Sequence, residues 1–284
     1  ALYRYIQKSN PDLFQEQIES YETSHTCWTS PRLGIGHCCG ANLALEYFDH
    51  LSVLGIPIFA VPGCEGRYYR SALLVSRKHT NVNNLHDAIQ HFKSLRLAIN
   101  SFGSNSGWFL PLTTLAKYCE EHDLPGLSLD TILQTGSHNA NVLAILSDSA
   151  DLTAIDCISF AAMQRYHPEL VKDVKVIGWT ERALTPPFVT AKSQPSNVKA
   201  QLRDILINTM KSTDYNLMQA RQEMFLVGVE LNENDDYDKT YYDVNQTLLE
   251  KCRHYFPDLL NNLKPGRLLR EHQLITTSSS HTVQ

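Results

Sequence analysis

The stretch Arg96–Pro111, RLAINSFGSNSGWFLP, restricts the possible folds of this chain more than any other. Residues 96 to 100 alternate as a short strand does, residues 101 to 105 are turn formers, and Trp108 begins an apolar run spaced for a helix. Ser104, Asn105, Ser106 and Gly107 fall at the expected cap and first turn of that helix. Backbone N–H groups there have no partner within the helix, and the aligned peptide dipoles leave about half a positive charge. Two readings follow. One is an ordinary N-cap; the other is a seat for an anion, which small side chains allow close to the backbone.

The same device recurs downstream. Residues 131 to 135 read as a strand, and Gly136-Ser137-His138-Asn139 opens the next helix. Residues 152 to 156 make a third strand ending at Asp156, followed by a helix over 159–166 and a strand over 175–179. In an open parallel sheet, ligands sit outside the carboxyl ends of the strands, so Ser104, His138 and Asp156 are expected along one edge.

At 284 residues the chain suits two α/β domains of roughly 100 to 200 residues each. The chain is expected to cross between domains somewhere over 77–95, and the stiff run LTPPFV at 184–189 to carry it back. The lobes expected are 1–90 with 186–284, and 91–185. In the first, strands are expected over 1–6, 31–37, 56–61 and 69–77, with helices over 10–21 and 41–51. Further helices are expected over 197–210, 215–223 and 237–255, an acidic loop over 230–238, and a frayed tail after Pro265.

Composition excludes some classes of function. Hydrophobic residues at 43% and charged residues at 19% are those of a globular protein. A net charge of −5 argues against nucleic acid or an anionic membrane as the main partner. No apolar run approaches the ~20 residues that span a bilayer. Ala1 is not followed by a secretory signal pattern, which leaves the compartment open. The seven cysteines fit no zinc spacing and the acidic loop lacks the calcium-loop pattern, so no metal or cofactor is expected.

Three segments carry a resemblance to a known family: NSFGSNSGWFLP, QTGSHNANVLAILSDSADLTAIDC and TPPFVT, with WTSPRLGIGHCCG and GCEGRYYRS upstream. In this order, over about 28–190, they resemble the substrate-binding components of phosphonate and related oxyanion ABC transporters, which are type 2 periplasmic binding proteins. The resemblance implies an α/β bilobal fold, with two mixed-sheet lobes joined by two crossovers and closing on a ligand. It implies capture of a small oxyanion (phosphonate, phosphate ester or similar) in an interlobe cleft, delivery to a membrane permease, a periplasmic or other extracytoplasmic setting, and no catalysis. A monomer is expected.

By the same resemblance, Ser104, Asn105 and Ser106 match the oxyanion-binding helix start, Ser137 and His138 match a second one, and Asp156 matches a strand-end carboxylate. Tyr69 and Cys39 are the contacts expected from the first lobe. His138 has an N–H to donate to an anion; Asp156, when ionised, accepts a proton from a monoprotonated phosphonate or an ammonium group. Each has a structural alternative: a helix cap for His138, a partner of backbone N–H groups for Asp156, a core position for Tyr69. Cys39 and Cys64 end neighbouring loops and read either as a disulfide or as two buried thiols. Two departures widen the ligand question. Asn105 stands where Thr is frequent in the family, and Ala41 where an aromatic is frequent; the segment before the first helix is also short for the family. The alternatives to transport are a ligand-sensing protein of the same fold, or an enzyme using Cys38, Cys39 or His37, for which no triad is apparent.

Overall fold

The computed structural model describes residue 6, residues 24–231, residue 252 and residues 254–256. The helix expected over 10–21, most of that over 237–255, the loop beyond 231 and the tail lie outside these residues. Two compact units emerge. The first takes the described residues up to Arg70, then Asp156–Tyr166, then Arg182 to Leu231; the second takes Ser71–Ile155, His167–Glu181 and the described residues from 252 on.

The first unit is built on a four-stranded sheet of order β1-β10-β2-β11, from β1 (Gly36–His37), β2 (Leu51–Phe59), β10 (Phe188–Ala191) and β11 (Leu226–Leu231). Its neighbouring strands pair antiparallel throughout. β2 is buried on both faces. Leu51, Val53 and Ile56 join Leu43, Ala44 and Tyr47 on one side, while Leu54 meets Leu202, Leu206 and Leu217 on the other. The first group comes from α2 (Gly40–Asn42), which continues as a π-helical turn over Leu43–Tyr47. The second comes from α8 (Ser196–Lys211) and α9 (Tyr215–Glu223). A short ribbon pairs β3 (Tyr68–Tyr69) with β9 (Ala183–Leu184).

The second unit holds a five-stranded sheet of order β6-β5-β7-β4-β8. Its strands are β4 (Ser71–Ser76), β5 (Ser94–Ile99), β6 (Ser128–Gln134), β7 (Leu152–Asp156) and β8 (Val174–Trp179). β5 runs parallel to β6 and to β7, whereas β4 and β8 are antiparallel, so the sheet is mixed. Ile99 lies opposite Gln134, which makes β5 and β6 end level. The helices that follow them are α4 (Leu110–Glu121), entered through a π-helical turn over Asn105–Phe109, and α5 (His138–Leu146).

Several boundaries depart from expectation. The strand expected over 69–77 is two strands in two sheets: Tyr68–Tyr69 in the ribbon and Ser71–Ser76 beside β8. The chain therefore enters the second unit at Ser71, ahead of the 77–95 stretch. A strand's alternation tells which residues it buries but not which sheet takes it. The helix expected over 41–51 stops at Tyr47, and Leu51 already belongs to β2, whose continuous apolar run LSVLGIPIF suits either element. Glu230 and Leu231, expected to begin the acidic loop, instead close β11, which pairs with β2.

Candidate functional site

The carboxyl ends of β5 and β6 lie side by side, and backbone bonds tie the turns that leave them. The Thr135 N–H donates to the Ile99 carbonyl at 2.8 Å and the Gly136 N–H to the Asn100 carbonyl at 3.1 Å. Two helix starts thus share one edge of the second unit's sheet.

At the first, Ser104 is the cap: its Oγ accepts from the Gly107 N–H at 3.0 Å, and its carbonyl accepts from both Trp108 and Phe109. The bond to Phe109 spans five residues, and it makes the opening turn π-helical, a local widening that recurs at functional sites. Ser104, Asn105 and Ser106 are 7%, 2% and 9% exposed. The two serine hydroxyls lie 3.4 Å apart. The carboxamide of Asn100 lies against Gly107 so closely that a Cβ there would sit 2.0 Å from its Oδ1. Trp108, fully buried, meets Phe102 edge to face at 5.0 Å. Both Asn100 Oδ1 and Trp108 Nε1 are buried without a hydrogen-bond partner among the described residues.

At the second, Ser137 is the cap, accepting from the Ala140 N–H at 3.1 Å. Gly136 has φ +88°, a left-handed conformation that favours glycine, and open space around it. Ser137 is exposed and His138 half-buried, with Nδ1 shielded from solvent. Beneath them the Thr135 hydroxyl donates to Asn141 Oδ1 at 2.5 Å. Asn141 is fully buried, and its Nδ2 has no acceptor among the described residues. A buried amide donor or acceptor left unmatched costs about 1–3 kcal/mol, and each start carries one.

Asp156 closes β7 on the sheet that carries these starts, and its Oδ1 accepts from the Ser159 N–H at 2.7 Å, capping α6 (Cys157–Tyr166). That is the structural alternative foreseen for this carboxylate, realised in one of its oxygens. Tyr69 is 1% exposed in the first unit's ribbon, and Cys39, half-buried, precedes α2, where its carbonyl accepts from the Leu43 N–H. Of the two readings of Cys39 and Cys64, a disulfide or two thiols, the second holds: both residues are free thiols, and the sulfur beside Cys64 is that of Cys157, at 3.4 Å. Sequence reasoning missed Asn100 and Asn141. For Asn100 the only signal was a glycine seven residues on, inside a helix where glycine costs stability.

A sheet edge bearing two capped helix starts offers free backbone amides to a small polar or anionic solute. Residues 50–237, more than half of the chain, match the family described as the periplasmic phosphonate substrate-binding protein of ABC transporters. The chain belongs to that family, which is one of transport proteins and not of enzymes. No curated relative matches the chain by sequence. Among solved structures it is similar to a binding-protein component of an ABC phosphonate transporter from Pseudomonas aeruginosa (15% identity, TM-score 0.68, 98% of this chain and 93% of that one). It is also similar to PhnD1 from Prochlorococcus marinus, solved with methylphosphonate (14% identity, TM-score 0.61, 88% and 92%). A third is XAC2383 from Xanthomonas citri, solved with ATP (15% identity, TM-score 0.58, 81% and 82%). The fold is that of the bilobal periplasmic binding proteins. Among the described residues, no helix is long and apolar enough to cross a membrane.

Proposed function

We propose that this solute-binding protein captures a small tetrahedral oxyanion, a phosphonate, phosphate ester or similar group, at the paired starts of α4 and α5, and passes it to an ABC permease outside the cytoplasm. One observation carries the reading: two helix N-termini leave level, parallel strands and are bonded to each other through their turns. Each start has four amides without an intrahelical acceptor, and Ser104 and Ser137 each satisfy only one with their hydroxyls. An oxyanion accepts from such donors without a full countercharge, which favours desolvation on binding and permits release. Ser106 and His138 are the side-chain donors proposed beside them.

The buried, unmatched groups add to this. Asn141 Nδ2 is a donor suited to an anion's oxygen, and Asn100 Oδ1 an acceptor suited to the proton of a monoprotonated phosphonate. In this reading Asn100 shares with Asp156 the acceptor's part. The protein is proposed to act as a monomer.

A thermal-shift panel of methylphosphonate, aminoethylphosphonate, inorganic phosphate, sulfate and a phosphate monoester tests it. At a thousandfold excess over its dissociation constant, a ligand stabilises the fold by about 4 kcal/mol. One member is expected to raise the melting temperature, and Ser106→Ala combined with His138→Ala to abolish that rise while the unliganded fold is kept. A rise that survives both changes places the ligand elsewhere.

A further inference from the structure

We infer that Cys64 and Cys157 form a thiol pair built to close into a disulfide within the first unit. Their sulfurs lie 3.4 Å apart, although 93 residues separate them in sequence. A disulfide bond is about 2.05 Å long, so the gap to be closed is smaller than the reach of one side-chain rotation. The backbone already holds the approach: the Cys157 N–H donates to the Arg70 carbonyl at 3.0 Å, and the Cys64 N–H closes the turn onto Val61 at 3.0 Å. The other cysteines are placed differently. Cys38 directs its thiol to the Cys39 carbonyl at 3.4 Å, and Cys119 and Cys252 are buried singly.

The two thiols are unequal in a way that suits exchange. Cys64 is half-buried and reachable; Cys157 is 1% exposed. The sulfurs share one hydrogen bond in which either thiol can be the donor, and Cys157 opens α6, where helix N-termini favour thiolate. The oxidant is a disulfide R–S–S–R, either a small molecule or the active-site disulfide of an oxidoreductase. Cys64 attacks one sulfur, forming Cys64–S–S–R and releasing R–SH with the thiol proton. Cys157 thiolate then attacks the Cys64 sulfur, forming the internal bond and expelling R–S⁻, which takes up the second proton. Two thiols are oxidised by two electrons, and R–S–S–R is reduced to two R–SH. An extracytoplasmic compartment supplies such oxidants.

The test exposes the full chain to glutathione disulfide, denatures it in the presence of a maleimide, and maps the linked peptides by mass spectrometry. Two of the seven thiols are expected to escape labelling, in a single cross-link joining Cys64 to Cys157. Because a loop of this length restricts the unfolded chain, the oxidised protein should melt higher than the reduced one by on the order of 5–10 °C. Cys64→Ser should remove both the cross-link and the redox-dependent shift. Seven labelled thiols, a glutathione adduct left on Cys64, or a bridge through Cys39 would each overturn the inference. The linkage map of the unmodified chain decides the matter even if the variant fails to fold, and it does not depend on the identity of the transported solute.

Discussion

The two helix starts on the second unit's sheet look alike as sequence, GSNSG against GSHNA, and differ as structure. The first is closed: Ser104, Asn105 and Ser106 are nearly shielded from solvent, and Gly107 packs on Asn100. The second is open, with Ser137 exposed and no atom within 4 Å of where Gly136 would carry a Cβ. Glycine serves space in one and backbone conformation in the other. The strands that lead in differ too. β5 has neighbours on both sides, while β6 lies at the sheet's edge. The lesson is that a cap motif specifies a hydrogen bond, whereas burial around it is set by the strand's rank in the sheet.

The largest effect is expected at the foot of β5. The Asp151 carboxylate accepts from the Arg96 side chain at 2.6 and 3.1 Å and from its backbone N–H at 2.9 Å; the Asp151 N–H donates back to the Arg96 carbonyl at 2.8 Å. Asp151 is buried, while Arg96 is 34% exposed at its side chain, so the loss should fall below that of a wholly buried pair. Asp151→Asn should cost about 2 kcal/mol, read as a lower midpoint in urea with an unchanged slope. If the closed character of the first start depends on a fixed β5, ligand-induced stabilisation should weaken as well. An undiminished ligand shift would show that the start is rigid independently of its strand.

Next comes the pair of glycines. Gly107→Ala puts a methyl carbon where Asn100 Oδ1 lies, forcing a short, buried side chain to move, at a cost of about 1–3 kcal/mol after the helix's preference for alanine is counted. Gly136→Ala meets nothing, but must hold φ +88°, at a cost of about 1 kcal/mol. The distinguishing measurement is rescue. Asn100→Gly should restore stability to the Gly107→Ala protein and do nothing for the Gly136→Ala protein. Equal rescue in both would erase the distinction between a glycine kept for space and one kept for conformation.

Much of this was legible in the sequence because the determinants are local. Caps at Ser104 and Ser137 follow from side-chain reach to an amide three residues on, and both bonds are present. β7 over Leu152–Asp156 and α9 over Tyr215–Glu223 have the expected ends, since an apolar strand run and an Asp N-cap mark them without help from elsewhere. What was illegible depends on contacts between distant residues. Ser71–Ser76 joins the second unit's sheet through β8, a hundred residues on, and Leu226–Leu231 is a strand only because β2 pairs with it. Cys64 finds Cys157 because α6 starts beside Arg70, and no spacing rule encodes that. The unmatched atoms of Asn100 and Asn141 are of this kind: each is an ordinary polar residue until the sheet and helices bury it.

A smaller effect than the buried pair's is expected at the caps themselves. Ser104→Ala and Ser137→Ala remove the same bond type, each worth about 1 kcal/mol in an average helix. Solvent can replace the lost acceptor at the exposed Ser137 but has no access at Ser104, where the Gly107 N–H would be left buried and unmatched. The expected losses are therefore about 0.5 kcal/mol at Ser137 and about 1.5 kcal/mol at Ser104, measured as midpoints of denaturant unfolding. Hydrogen exchange at the two amides sharpens the contrast: Ala140 should exchange faster in its variant than Gly107 in the other, because water reaches the first and not the second. Equal losses with equal exchange would mean that the first start opens to solvent as readily as the second, and the buried serines would then owe their low exposure to a single conformation among several.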